Sequence, residues 1–106
     1  MTDPQPALIY CPFPDRETAS VSAKTLLDEG LIACANMLGE IHSLFDWNGE
    51  RGEARETGVL LKTNAAVLDR AIARLAELHP YEEPAILGWR CDAAAPGTTA
   101  WLGALR

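Results

Sequence analysis

Asn48-Gly49 lies between two β-prone stretches, and no other dipeptide constrains the fold of this chain as much. A two-residue hairpin turn of the favoured type needs positive φ at both central positions, which asparagine and glycine tolerate. Upstream, Leu31 to Trp47 carries Ile32, Met37, Ile41, Leu44, Phe45 and Trp47. Downstream, after a polar return over Arg51 to Arg55, Glu56 to Thr63 centres on Val59-Leu60-Leu61. The two stretches are therefore expected to be antiparallel neighbours. Gly39 interrupts the alternation of the first and predicts a bulge or bend. So long a hairpin leaves an exposed edge, and a ring of subunits closing through such edges would cover it.

Around this hairpin the pattern alternates. Ala7 to Cys11 is a short apolar run that reads as a strand, ended by Pro12-Phe13-Pro14. Asp15 is a good N-cap for a helix over Arg16 to Glu29. Its apolar positions Ala19, Val21, Ala23, Leu26 and Leu27 lie mostly on one face, and Gly30 suits the residue after the C-cap. Asn64 can cap a second helix, Ala65 to Leu78, with a stripe of Val67, Leu68, Ala71, Ile72, Leu75 and Leu78. Tyr81 to Cys91 reads as a fourth strand, Ala93 to Gly97 as a loop, and Thr98 to Leu105 as a short terminal helix or turn. The order β-α-β-β-α-β predicts an α+β, ferredoxin-like split-βαβ sandwich with both helices on one face of an antiparallel sheet. At 106 residues this is one domain, 1–106, with residues 1–6 expected as a flexible N-terminal segment.

His79-Pro80-Tyr81-Glu82-Glu83-Pro84 puts an imidazole, a phenol, two carboxylates and two prolines into six residues. The residue before a proline is pushed out of the α region, so His79 should end its helix. Pro84 removes a ladder donor, so the next strand should begin as an edge or at a bulge. Strand order 4-1-3-2 sets the end of strand 1 beside the start of strand 4. Cys11 then comes near His79 and Tyr81, with Asp15 and the Trp47 hairpin at the same end of the sheet. Cys91 falls at the opposite end, too far for a disulfide to Cys11.

The formal net charge of −6 disfavours non-specific binding to nucleic acid or to anionic lipid. No apolar run approaches the twenty residues of a membrane span. Met1 to Pro6 is polar and lacks the basic and apolar segments of a signal peptide, so a cytoplasmic location is expected. Three cysteines at Cys11, Cys34 and Cys91, with no short spacing, argue against both a zinc knuckle and a secreted disulfide scaffold. No Gly-x-Ser-x-Gly elbow, phosphate-binding glycine loop or His-Glu-x-x-His is present, and no orienting group can be named for a Cys11–His79 pair. Enzymatic activity is not expected. Cys11 and His79 could serve as metal ligands. Each also has an ordinary structural role, as a buried thiol and as a helix C-cap. His42 reads as an isolated strand surface residue.

Five motifs in order resemble the CutA divalent-cation-tolerance family, over about Ala7 to Leu102. They are Cys11 to Ala19, Leu31 to Met37, Ser43 to Gly49, Glu56 with Lys62-Thr63, and His79 to Pro84. Trp101-Leu102 stands where the family has its C-terminal aromatic segment. Four positions depart from the family pattern. Glu50 replaces a lysine, Phe45 a tyrosine, Glu83 a valine, and Ala85 a glutamate often proposed as a metal ligand.

The resemblance implies a cytoplasmic homotrimer built much like the PII-type signalling trimers, with a link to copper or other divalent-cation tolerance. It implies no obligatory cofactor and a weakly held copper or other divalent cation. Cys11, His79 and Glu82 are then the candidate ligands, Glu82 because it occupies the family position. Ser43, Trp47, Glu56, Lys62, Tyr81, Pro84 and Trp101 are candidates for a ligand cleft or subunit interface. Lys62 could pair with Glu56 or hold an anionic ligand. The alternative to the metal reading is a PII-like small-ligand sensor or partner-binding trimer without metal function.

Overall fold

Seven elements follow one another in the computed structural model, which describes residues 2–106. They are β1 (Pro6–Phe13), α1 (Arg16–Asp28), β2 (Cys34–Trp47), β3 (Glu50–Asn64), α2 (Leu68–Leu78), β4 (Leu87–Arg90) and α3 (Pro96–Gly103). The sheet order is β2-β3-β1-β4 with every neighbouring pair antiparallel, the order expected from the sequence. Alternation along β1 sends Ala7, Ile9, Cys11 and Phe13 inward. They join Val59 and Leu61 of β3, Ala19 and Leu26 of α1, and Leu68, Ala71 and Leu75 of α2 in one core. Burying each of the larger aliphatic side chains is worth about 1.5–3 kcal/mol. Gly88 of β4 lets α2 approach closely, since a Cβ there would lie 2.8 Å from Ile72 and 3.0 Å from Leu68.

The helix ends have local causes. The Thr18 amide donates to Asp15 Oδ1 at 2.8 Å, so Asp15 caps α1 as expected. Asn64 caps the turn at residues 65–67, and α2 starts three residues later than the expected Ala65. Its Oδ1 accepts from the Ala66 and Val67 amides, and α2 itself starts at Leu68 with no side-chain cap. Its Nδ2 donates to the carbonyls of Leu102 and Leu105, so a buried amide ties the β3–α2 turn to the C-terminal segment. Val21 and Leu27, read as part of the apolar face of α1, are 62% and 42% exposed.

Strand bounds also differ. The fourth strand was expected from Tyr81, but only Leu87–Arg90 pair, with Tyr10 to Ala7 of β1, and residues 81–86 are irregular. The polar return 51–55 is itself strand, since the hairpin ladder runs unbroken to Trp47↔Glu50. Leu31 and Ile32 precede β2 and are buried in the core. Gln5 and Pro6, assigned from sequence to the flexible segment, are built into the sheet end. The Gln5 carbonyl accepts from Ala65, the Pro6 carbonyl from Cys91, and the Gln5 side chain donates to the Cys91 carbonyl.

Asn48 and Gly49 both take positive φ, 53° and 79°, as the turn requires. Gly39, at φ 99°, marks a register shift between Met37 and Gly39, the expected bulge. Beyond the last β1–β3 pair, Phe13↔Thr57, seven cross-strand pairs continue from Ile41↔Glu56 to Trp47↔Glu50. This two-stranded arm reaches more than about 20 Å past the sheet at the rise of an extended strand. It accounts for the long axis of 49 Å against 26 and 22 Å.

Candidate functional site

The residues that close the body of the sheet where the arm begins form one connected cluster. His79 ends α2 with extended backbone, as Pro80 demands. Its ring stacks on Phe13 at 4.3 Å and lies 4.9 Å from the Tyr81 ring. Nε2 is 2.8 Å from the Pro12 carbonyl, to which it donates. Nδ1 accepts from the Tyr81 amide at 3.1 Å. This arrangement needs a neutral imidazole with its proton on Nε2. Burial pushes the His79 pKa below its ordinary value, while the Pro12 carbonyl and Glu56 pull the other way.

Tyr81 turns from that contact to donate its hydroxyl to Glu56 Oε2 at 2.9 Å, linking the 79–84 segment to the base of the arm. Desolvation and Glu56 push the phenol up to about 12. Cys11 is fully buried beneath, its Sγ 3.5 Å from the Pro12 carbonyl. Burial first, then Glu56, pushes the thiol up to about 12. It is therefore a packed thiol at neutral pH and a poor nucleophile.

The expected convergence of Cys11, His79 and Tyr81 at one sheet end is present, and Glu56 belongs to it. A cation held by Cys11, His79 and Glu82 does not fit this geometry. Both ring nitrogens of His79 are engaged, and the Cys11 thiol is sealed and strongly disfavoured as thiolate. Glu82 is exposed. Among the described residues, no group of three or more His, Cys, Asp or Glu is arranged to hold a metal ion.

The other candidates are dispersed. Ser43 lies midway along the arm and Trp47 at its tip, 57% exposed. Trp47 pairs with Glu50, six residues and about 20 Å along β3 from Glu56. Within one chain it does not meet Tyr81. The same spacing corrects the Glu56–Lys62 pair, since both stand on β3 six residues apart. Lys62 is half-buried opposite Cys34 and Leu8 and has no ion-pair partner among the described residues. Pro84 is half-buried in the irregular segment before β4, and Trp101 is 48% exposed on α3.

The arm has two unlike faces. Ile41, Ser43, Phe45 and Trp47 share one face with Glu56, Ala54, Gly52 and Glu50 opposite. The Phe45 ring covers Gly52, where a Cβ would collide with it. The other face is an ion ladder: Glu40 with Arg55, His42 with Glu53, Asp46 with Arg51. Sequence reading missed the His42–Glu53 contact, because they are neither directly opposed nor close in sequence. Once the Asn48-Gly49 turn fixes the register, His42 stands opposite Arg55 and diagonal to Glu53.

The sequence profile of the CutA1 divalent ion tolerance protein matches residues 7–104. The divalent-cation tolerance protein CutA of Pyrococcus horikoshii is 41% identical over 95 residues, covering 90% of this chain and 92% of that protein. The crystal structure of CutA1 from Ehrlichia chaffeensis superposes with a TM-score of 0.87 at 30% identity, covering 93% and 92% of the two chains. A solved structure from Archaeoglobus fulgidus, described as a periplasmic divalent cation tolerance protein CutA, gives 0.86 at 28% identity over 92% and 94%. Matched almost end to end by sequence and by fold, this chain belongs to the CutA1 divalent ion tolerance family.

Proposed function

We propose that the chain acts in divalent-cation tolerance as a homotrimer that contacts copper or a similar cation weakly and catalyses no reaction. The observation that carries the assembly is its uncovered apolar surface. Leu87 and Trp89, which register opposite Tyr10 and Leu8 across β4, are 67% and 46% exposed. Phe45 and Trp47 on the arm are 43% and 57% exposed. The whole length of β2 is an unpaired edge. A second and third copy would cover these surfaces and pair the edge. Membership of the family supports the tolerance role. A sealed Cys11 thiol and a fully engaged His79 leave no nucleophile–base pair at the sheet end, which supports the non-catalytic reading.

Three free cysteines suit a reducing compartment, and we assign the chain to the cytoplasm on that ground. Among the described residues, no helix is long and apolar enough to cross a membrane. Lys62, without an ion-pair partner among the described residues, favours a second reading in which the trimer senses a small anionic ligand. Light scattering over a dilution series tests the assembly and should give a constant mass of three chains. A monomer at micromolar concentration would remove the basis of the proposal.

A further inference from the structure

We infer, resting on the assembly proposed above, that the tip of each arm lies on the open sheet face of the next copy, where its Glu50 pairs with Lys62 of the partner subunit. Alternation along β3 turns Val59, Leu61 and Thr63 into the core and puts Glu50, Glu56, Leu60 and Lys62 on the other side. The register of β1 with β3 and β4 sets Leu8 and Tyr10 beside them, then Leu87 and Trp89, in one apolar face that α1 and α2 leave open. The arm continues this face with Phe45 and Trp47. The charges on it all belong to β3. Glu56 is bonded to Tyr81. Glu50 at the tip and Lys62 in the body have no ion-pair partner among the described residues. The arm's other charged side chains do have one: Glu40 with Arg55, His42 with Glu53, Asp46 with Arg51.

Lys62 is half-buried, its stem laid between Leu8 and Cys34. A copy that covers this face takes the ammonium out of water, which is costly unless a carboxylate meets it. The same holds for Glu50 beside Trp47. Within one chain the two cannot meet, since residues 50 and 62 lie at opposite ends of the face, about 40 Å apart at the rise of an extended strand. Opposite charges at the two ends make the surface complementary to itself when tip meets body. Tip on tip, or body on body, would set like charges together, which costs several kcal/mol at an interface. Tip on body is a head-to-tail contact, the kind that closes rings. Glu50 stands where the family pattern has a lysine, so the pair is a property of this chain.

The test is the subunit dissociation constant of the full chain, read by native mass spectrometry and sedimentation over a dilution series, with far-UV spectra checking the fold of each variant. Glu50→Lys and Lys62→Glu should each raise it at least about tenfold, as breaking a desolvated interfacial charge pair does. The double variant exchanges the charges and should return to within about threefold of the wild type, whereas independent sites would add their losses. Lys62→Met keeps the apolar stem and so spares the fold. It should also weaken assembly, because it leaves Glu50 of the partner subunit buried and unpaired. Tighter assembly of Lys62→Met, single variants that assemble like the wild type, or added losses in the double variant would overturn the pairing and leave the assembly reading standing. A wild type that is monomeric at micromolar concentration would overturn both.

Discussion

His79 is the residue on which most of the sheet end depends. It ends α2, stacks on Phe13, donates to the Pro12 carbonyl and accepts from the Tyr81 amide. The acceptor role exists only in the neutral ring. Burial lowers its pKa, so between the folded and unfolded values the unfolded chain binds more protons. Stability is then complete above the ordinary imidazole range near 6.5 and is lost as pH falls below it. Urea unfolding at pH 7 and pH 5 should show a loss for the wild type and a smaller one for His79→Phe. Equal losses would assign the acid sensitivity to other groups. The sequence showed that His79, Tyr81 and Cys11 come together, because strand order sets which ends are adjacent. It could not show that both imidazole nitrogens would be engaged, since one partner is the carbonyl of Pro12, 67 residues away.

At the scale of the element, local signals were legible and long-range limits were not. Asp15, Asn48-Gly49 and Gly39 each produced the cap, turn or bulge their chemistry favours. Asp15→Ala should cost about 1 kcal/mol, the usual value of an N-cap, with the sheet unaffected. Chemical denaturation would measure it, and a loss below about 0.3 kcal/mol would mean that the Thr18 contact contributes little beyond what water supplies. The length of β4 is different. Its residues read as a strand from Tyr81, yet pairing starts at Leu87, opposite Tyr10, and residues 81–86 are irregular. The arm is the counterpart. The polar run Arg51 to Arg55 read as a return loop, but an antiparallel ladder continues wherever both strands stay in register.

For the whole molecule, the apolar surface left exposed is the main fact. Trp47 stands at the end of an arm that has no core of its own. Trp47→Ala should therefore harm assembly more than the folding of one subunit, by about 2 kcal/mol or more at an interface hot spot. The melting temperature should become dependent on concentration while the far-UV spectrum is kept. A full trimer with unchanged melting would make Trp47 a ligand-lining residue rather than an assembly anchor. None of this could be read from composition, which is ordinary at 48% hydrophobic. Which apolar residues stay outside the core is decided by register and by the faces that α1 and α2 cover.

The pairing of β1 with β4 joins Ala7 to Arg90, across most of the chain. The hairpin of β2 and β3 joins residues only a few positions apart at its turn. Early structure should therefore grow from Asn48-Gly49 outward, and the sheet should close last at its shortest strand, after the large loop has lost its entropy. Folding rate then depends strongly on events at the turn. A substitution at Gly49 that disfavours positive φ should slow folding, whereas a weakened β4 should mainly speed unfolding.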